Sequence, residues 1–150
     1  MTLKNTISFL ESLKTETTIQ SEIKTYNQFI EILTKLENKD FTLDKIQSIE
    51  KELDKLNLKS NPKNRKEFFK KAINDFKKYL KTTFSLTTKG YYRTYYSALG
   101  LSFGLLFGVV ILSNLGSSLG IFLGLLGGMV VGTILGKNKE SQAKAAGNIL

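Results

Sequence analysis

From Thr94 to Gly136 the chain runs for 43 residues without a Lys, Arg, Asp or Glu. A helix needs about 20 apolar residues to cross a bilayer core about 30 Å thick, so a run this long predicts two crossings and a short turn. The turn is supplied by Ser113-Asn114-Leu115-Gly116-Ser117-Ser118, the polar cluster inside the run. Spans over about 95–113 and 118–136 follow. Both are close to the minimum length, which leaves little room for tilt.

The net charge of +9 gains meaning once it is placed along the chain. Residues 1–61 hold nine Lys against ten acids, and residues 62–93 hold ten Lys plus Arg against Glu67 and Asp75. The tail, 137–150, adds Lys137, Lys139 and Lys144 against Glu140. The positive charge therefore flanks the uncharged run on both sides, while the turn carries none. Under the positive-inside rule both termini are cytoplasmic and the turn faces out. Tyr91, Tyr92, Tyr95 and Tyr96 fall where an aromatic belt lies at the inner interface. Glu11 and Lys14 interrupt any apolar stretch near the N-terminus, so the hairpin itself is expected to direct insertion. These features predict a multi-pass protein of a bacterial inner membrane. A hairpin buried inside a soluble bundle is the alternative, but about 90 upstream residues are too few to cover two helices that are apolar all round.

The glycines of the run recur every four residues. Gly100, Gly104 and Gly108 mark the first span; Gly116, Gly120, Gly124, Gly128, Gly132 and Gly136 mark the second, with Gly127 out of register. In lipid, helices associate by close backbone approach, and a glycine row supplies the groove. Each glycine costs about 1 kcal/mol of helix propensity relative to Ala, which packing must offset. A spacing of four drifts about 40° per step, so the second row turns through about 200°. That arc is expected to exceed what one neighbouring helix covers, leaving part of it for other copies of the chain.

Over residues 100–136 this pattern resembles the glycine-zipper two-helix membrane hairpins of several unrelated bacterial groups. The resemblance implies helix packing and self-association and leaves open whether the assembly is an anchor or a holin-like pore. A rotor-type hairpin is set aside, because it needs a mid-membrane carboxylate and the spans have none.

Upstream, helix is expected throughout residues 1–88. Leu3, Ile7, Leu10 and Leu13 form a first stripe, and Thr15-Glu16-Thr17-Thr18 weakens the helix and marks a kink or a break. Ile19, Ile23, Tyr26, Ile30 and Leu33 follow at heptad spacing. After a turn at Asn38-Lys39-Asp40, Thr42 caps a helix bearing Leu43, Ile46, Ile49, Leu53 and Leu56. These last two segments are expected to pair as an antiparallel hairpin within residues 1–61. Glu50, Glu52 and Asp54 are interleaved with Lys and read as solvated surface.

Asn61 as cap and Pro62 at the first helical position open a basic helix whose apolar face is Phe69, Ala72, Ile73, Phe76 and Leu80. Its charge comes from Lys63, Arg65, Lys66, Lys70, Lys71, Lys77, Lys78 and Lys81. Running toward a membrane span, it reads first as a lipid-surface element. The alternative, which is compatible with lipid contact, is that the lysines only set topology while the Phe face packs on the first two helices. Lys70, Lys71, Lys77, Lys78, Lys81, Lys89, Arg93, Lys137 and Lys139 are candidate contacts to the headgroups of an anionic leaflet. Nucleic-acid binding is the disfavoured rival.

The chain has no His and no Cys, which removes imidazole and thiolate nucleophiles, ligands and relays. No catalytic, cofactor-binding or metal-ligating residues are assigned, and no enzyme is expected. The fold expected is all-α: an integral membrane protein with an amphipathic helical domain and a C-terminal two-helix hairpin. Its expected task is that of a self-associating, membrane-anchored interaction module that presents helices to a cytoplasmic protein. The alternative is an oligomeric pore.

Overall fold

The computed structural model describes residues 1–60, 62–110 and 117–150. Within them the chain is helical, with six helices: α1 (Leu3–Glu16), α2 (Gln20–Glu37), α3 (Leu43–Lys55), α4 (Arg65–Phe84), α5 (Tyr91–Val110) and α6 (Ser117–Ala145). It divides into two compact units. The first comprises residues Met1–Leu86 together with Leu150, and the second Thr87–Ile149. The basic helix α4 belongs to the core of the first unit.

That core is built from both short and long helices. Leu10, Tyr26, Phe29, Leu33, Ile49, Leu53, Phe69, Ile73, Phe76 and Leu80 are among its buried side chains. Phe69 sits edge-on to Tyr26, with ring centroids 4.9 Å apart, and Phe76 packs on Phe29 at 5.7 Å. The edge-to-face Tyr26–Phe69 pair adds about 0.5–1.5 kcal/mol beyond area burial. The buried face of α4 is Phe69, Ala72, Ile73, Phe76 and Leu80, the five positions its periodicity picks out.

Other details differ from the sequence expectation. The helix packed on α2 from its own neighbourhood in sequence is α1, and α4 packs on α2 and α3; α2 and α3 do not lie along one another. The face that α2 buries is Tyr26, Phe29, Ile32, Leu33 and Leu36, whereas Ile19 is 55% exposed. Heptad spacing puts Ile19 and Ile23 in phase with Tyr26, Ile30 and Leu33, but the buried face is turned toward Phe29, Ile32 and Leu36. On α3, Ile49 and Leu53 are buried and Leu43 is exposed. Thr42 stands at the N-cap of α3 by backbone conformation and makes no side-chain cap hydrogen bond.

The Thr-rich stretch does interrupt the helix. Thr17 Oγ1 accepts from the Ile19 N–H at 3.2 Å and donates to Glu22 at 2.8 Å, which satisfies the break locally. Asn61 lies outside the described residues. Pro62 is not helical, and α4 is capped by Asn64, whose side chain accepts from the Glu67 N–H at 3.2 Å. Asn with Glu three residues on is the stronger start signal, and it wins over Pro. The acids of α3 have partners across the fold: Glu50 accepts from the Leu3 N–H at 3.1 Å, and Asp54 binds the Met1 ammonium. Both oppose the N-terminus of α1, where negative charge is favoured.

At the other end of α4, Ser85 takes a left-handed conformation (φ 56°) and the Leu86 N–H returns to the Leu80 carbonyl at 3.1 Å. The helix therefore stops before the second unit begins and does not run on into α5.

Candidate functional site: a glycine-seamed apolar hairpin

The second unit is built on α5 and α6, which pack along their length. Their seam is backbone against backbone. A Cβ placed on Gly100 would fall onto the Gly128 carbonyl, and one on Gly128 onto the Gly100 carbonyl. Gly104 and Gly124 stand in the same reciprocal relation. At the next level, a Cβ on Gly108 would lie 2.6 Å from the Gly120 carbonyl oxygen. Such approach gives dispersion and Cα–H···O contact in place of side-chain packing.

The row on α6 continues past the last glycine of α5. Gly132 opposes the backbone of Tyr96 and Ser97, and a Cβ on Gly136 would lie 2.7 Å from the Arg93 Cα. A close approach needs glycine on one side only, so residues with side chains on α5 complete the contact by presenting their backbone. One helix thus covers the α6 row from Gly120 to Gly136, where the 200° arc had suggested that it could not. Gly116 lies outside the described residues, as do 111–115. Gly127 stands off the seam, with nothing near its Cβ position.

A polar tie crosses the seam. Ser97 and Thr133 share a hydrogen bond of 2.8 Å, and Thr133 Oγ1 also donates to the Met129 carbonyl at 2.8 Å. Ser102 donates to the Ala98 carbonyl at 3.0 Å. Thr133 and Ser102 return their hydroxyls to their own helix in this way, which satisfies the donor in an apolar setting.

Away from the seam the surface is apolar and open. On α5, Phe103, Leu106, Phe107, Val109 and Val110 are exposed, and on α6 Leu119, Phe122, Val130, Val131 and Ile134. Ser118–Ala145 is long and apolar enough to cross a membrane, and only 22% of its apolar window is buried. Helix α6 runs nine residues beyond Gly136, so the expected tail is mostly helix. Among the described residues α5 does not meet the same test. Tyr91 to Ser97 are polar or interfacial, and Ala98–Val110 would span about 20 Å, short of the hydrocarbon core.

The open end of the hairpin is tied by polar bonds that the sequence did not reveal. Glu140 Oε1 accepts from the Gly90 N–H at 2.7 Å, and the Thr87 N–H donates to the Asn148 carbonyl at 2.9 Å. Thr87 and Ile149 form an isolated parallel bridge. Helix α6 ends in a Schellman motif: Gly147 has φ 70°, its N–H bonds the Lys144 carbonyl at 3.0 Å, and the Asn148 N–H bonds the Ala143 carbonyl at 2.8 Å. Gly147 was the one available signal for that ending.

Tyr91, Tyr92, Tyr95 and Tyr96 occupy the first two turns of α5, with Tyr91 and Tyr95 stacked at 6.0 Å and the other neighbours edge-on. Of the cations proposed for headgroups, Lys89, Arg93, Lys137 and Lys139 are exposed in this unit, and Lys70, Lys71, Lys78 and Lys81 are exposed on α4. Lys77 is half-buried, and that burial pushes its ammonium below the ordinary lysine value, while nearby Glu31 opposes the shift. Among the described residues no group of acids could hold a metal ion. No protein-family model, curated protein or solved structure was found to match the chain.

Proposed function

We propose that this chain is a membrane-anchored interaction module. The α5–α6 hairpin inserts as a preformed unit from the cytoplasmic side of a bacterial inner membrane, and the four-helix unit stays in the cytoplasm to engage a protein partner. The observation that carries the proposal is the pairing of a closed seam with an open apolar exterior. Backbone contact joins the two helices, and the outward side chains suit lipid on all remaining sides. The cationic flanks support an inward orientation of both ends. We assign the zipper to the intrachain seam, which leaves the outer faces rather than the glycine row for self-association. A non-catalytic role accords with a chain that lacks His and Cys.

The absence of cysteine makes the test clean. Ser118→Cys in the full chain is expected to react with a membrane-impermeant thiol reagent added outside intact cells, and the protein is expected to remain in the pellet after an alkaline carbonate wash. Release into the supernatant, or labelling only after the cells are opened, would sink the proposal.

A further inference from the structure

The structure changes what the basic helix can do at a membrane. An amphipathic helix that lies in the interface inserts its apolar face, but the apolar face of α4 is consumed inside the four-helix core. From Lys45 to Thr94 no large hydrophobic side chain of the described residues is exposed. What α4 presents outward is charge. Lys66, Lys70, Lys77 and Lys81 fall within about 60° of the helix circumference, and with Lys71 and Lys78 all six lie within about 140°. Glu67 and Asp75 are the acids on this helix that dilute them. Lys66, Lys70, Lys71 and Lys78 are exposed and make no ion pair with another described residue.

We infer that this lysine face is an electrostatic docking surface for the anionic leaflet into which the hairpin inserts, an inference that rests on the anchoring proposed above. Contact is with headgroups only and without insertion, so it is reversible and governed by salt and lipid charge. A membrane fits better than nucleic acid because single-stranded nucleic acids bind through exposed aromatic platforms. The aromatic rings of α4 are packed away: Phe69 and Phe76 are buried, Phe68 and Phe84 pack against the core, and Tyr79 hydrogen-bonds Ser48 at 2.7 Å. A lysine near an anionic surface changes partitioning by about five-fold, so four such lysines suffice to hold a unit that the hairpin already keeps close.

The test places the full chain in vesicles of phosphatidylcholine with or without phosphatidylglycerol. Asn74→Cys, on the same face, carries a fluorophore whose energy transfer to headgroup-labelled lipid reports docking. Transfer is expected to rise with phosphatidylglycerol, to fall as salt is raised beyond the screening range, and to be lost when Lys66, Lys70, Lys71 and Lys78 become Glu. Arg at the same four positions should restore it. Transfer that ignores lipid charge and salt, or that survives the Glu variant, overturns the inference. So does displacement of the probe from anionic vesicles by an unstructured RNA oligonucleotide that then binds tightly. Retention after the carbonate wash is scored in parallel: a retained chain with flat transfer refutes docking alone. A chain that washes off refutes the anchor, and salt-sensitive co-flotation with phosphatidylglycerol vesicles then decides docking separately.

Discussion

At the scale of single residues, two adjacent glycines carry opposite expectations. The Cβ of Gly128→Ala would fall onto the Gly100 carbonyl, so the helices must separate and the contact along the seam is lost. Gly127→Ala meets nothing within 4 Å and gains helix propensity of up to about 1 kcal/mol. Thermal unfolding of the detergent-solubilised chain, followed by circular dichroism, should show a lowered transition for the first and an equal or higher one for the second. A seam indifferent to both would refute the backbone contact. The glycine row was legible in the sequence because every fourth residue repeats; its partner positions were not, because Arg93, Tyr96 and Ser97 contribute backbone and carry no marker. Lys77 shows a related gap, since nothing in its spacing tells it from Lys70 or Lys78. Its folded pKa is lowered, so the unfolded chain binds more protons below the ordinary value of 10.5, and stability rises with pH in that window. The cost of burying the cation is fully present at neutral pH. Lys77→Met is therefore expected to raise the Tm at pH 7, by an amount that shrinks as pH approaches 10.5.

Among the elements, α4 was the most legible in its interior and the least legible at its start. Five apolar residues at i, i+3, i+4, i+7 and i+11 fix its buried face whatever it packs against. Its beginning depends on competition between two caps three residues apart, and a pattern of types does not rank them. The geometry does: Asn64→Ala removes the hydrogen bond to the Glu67 N–H and should cost about 1 kcal/mol in urea unfolding. Pro62→Ala, outside the helix, should cost much less, and equal losses would restore the earlier start. The pairing of α1 with α2 escaped the sequence for a different reason. Several amphipathic helices of similar length can pair in more than one order, and the choice falls to contacts between residues far apart in the chain. Tyr26 against Phe69 and Phe29 against Phe76 are contacts of that kind. The interruption at Thr17, by contrast, is local chemistry, readable in sequence as a kink or a break.

Taken whole, the molecule joins two solutions to the burial of apolar surface, which its mean hydropathy of −0.11 averages away. The first unit hides its apolar side chains among four helices; the second keeps glycine inside and leaves its larger side chains out, an inversion that suits a non-aqueous solvent. Charge absence marked the second unit on sight. Where the first unit ends was hidden, because the residue that completes it stands at position 150, in what reads as a polar tail. Leu150 is 7% exposed and belongs to the core that includes Leu3, Leu10 and Leu86. Truncating a buried leucine to alanine costs about 2–5 kcal/mol, the lower end applying where neighbours can collapse into the space. Leu150→Ala should accordingly lower the unfolding free energy of the four-helix unit by about 2 kcal/mol or more, seen as a lower urea midpoint by tyrosine fluorescence in the full chain, with the slope unchanged. Leu150→Met, close to it in volume, should restore most of the loss. Leu43→Ala serves as the comparison, since that leucine is 76% exposed and its removal should change little. If Leu150→Ala behaves like Leu43→Ala, the last residue is no part of the core, and the boundary of the first unit falls at Leu86.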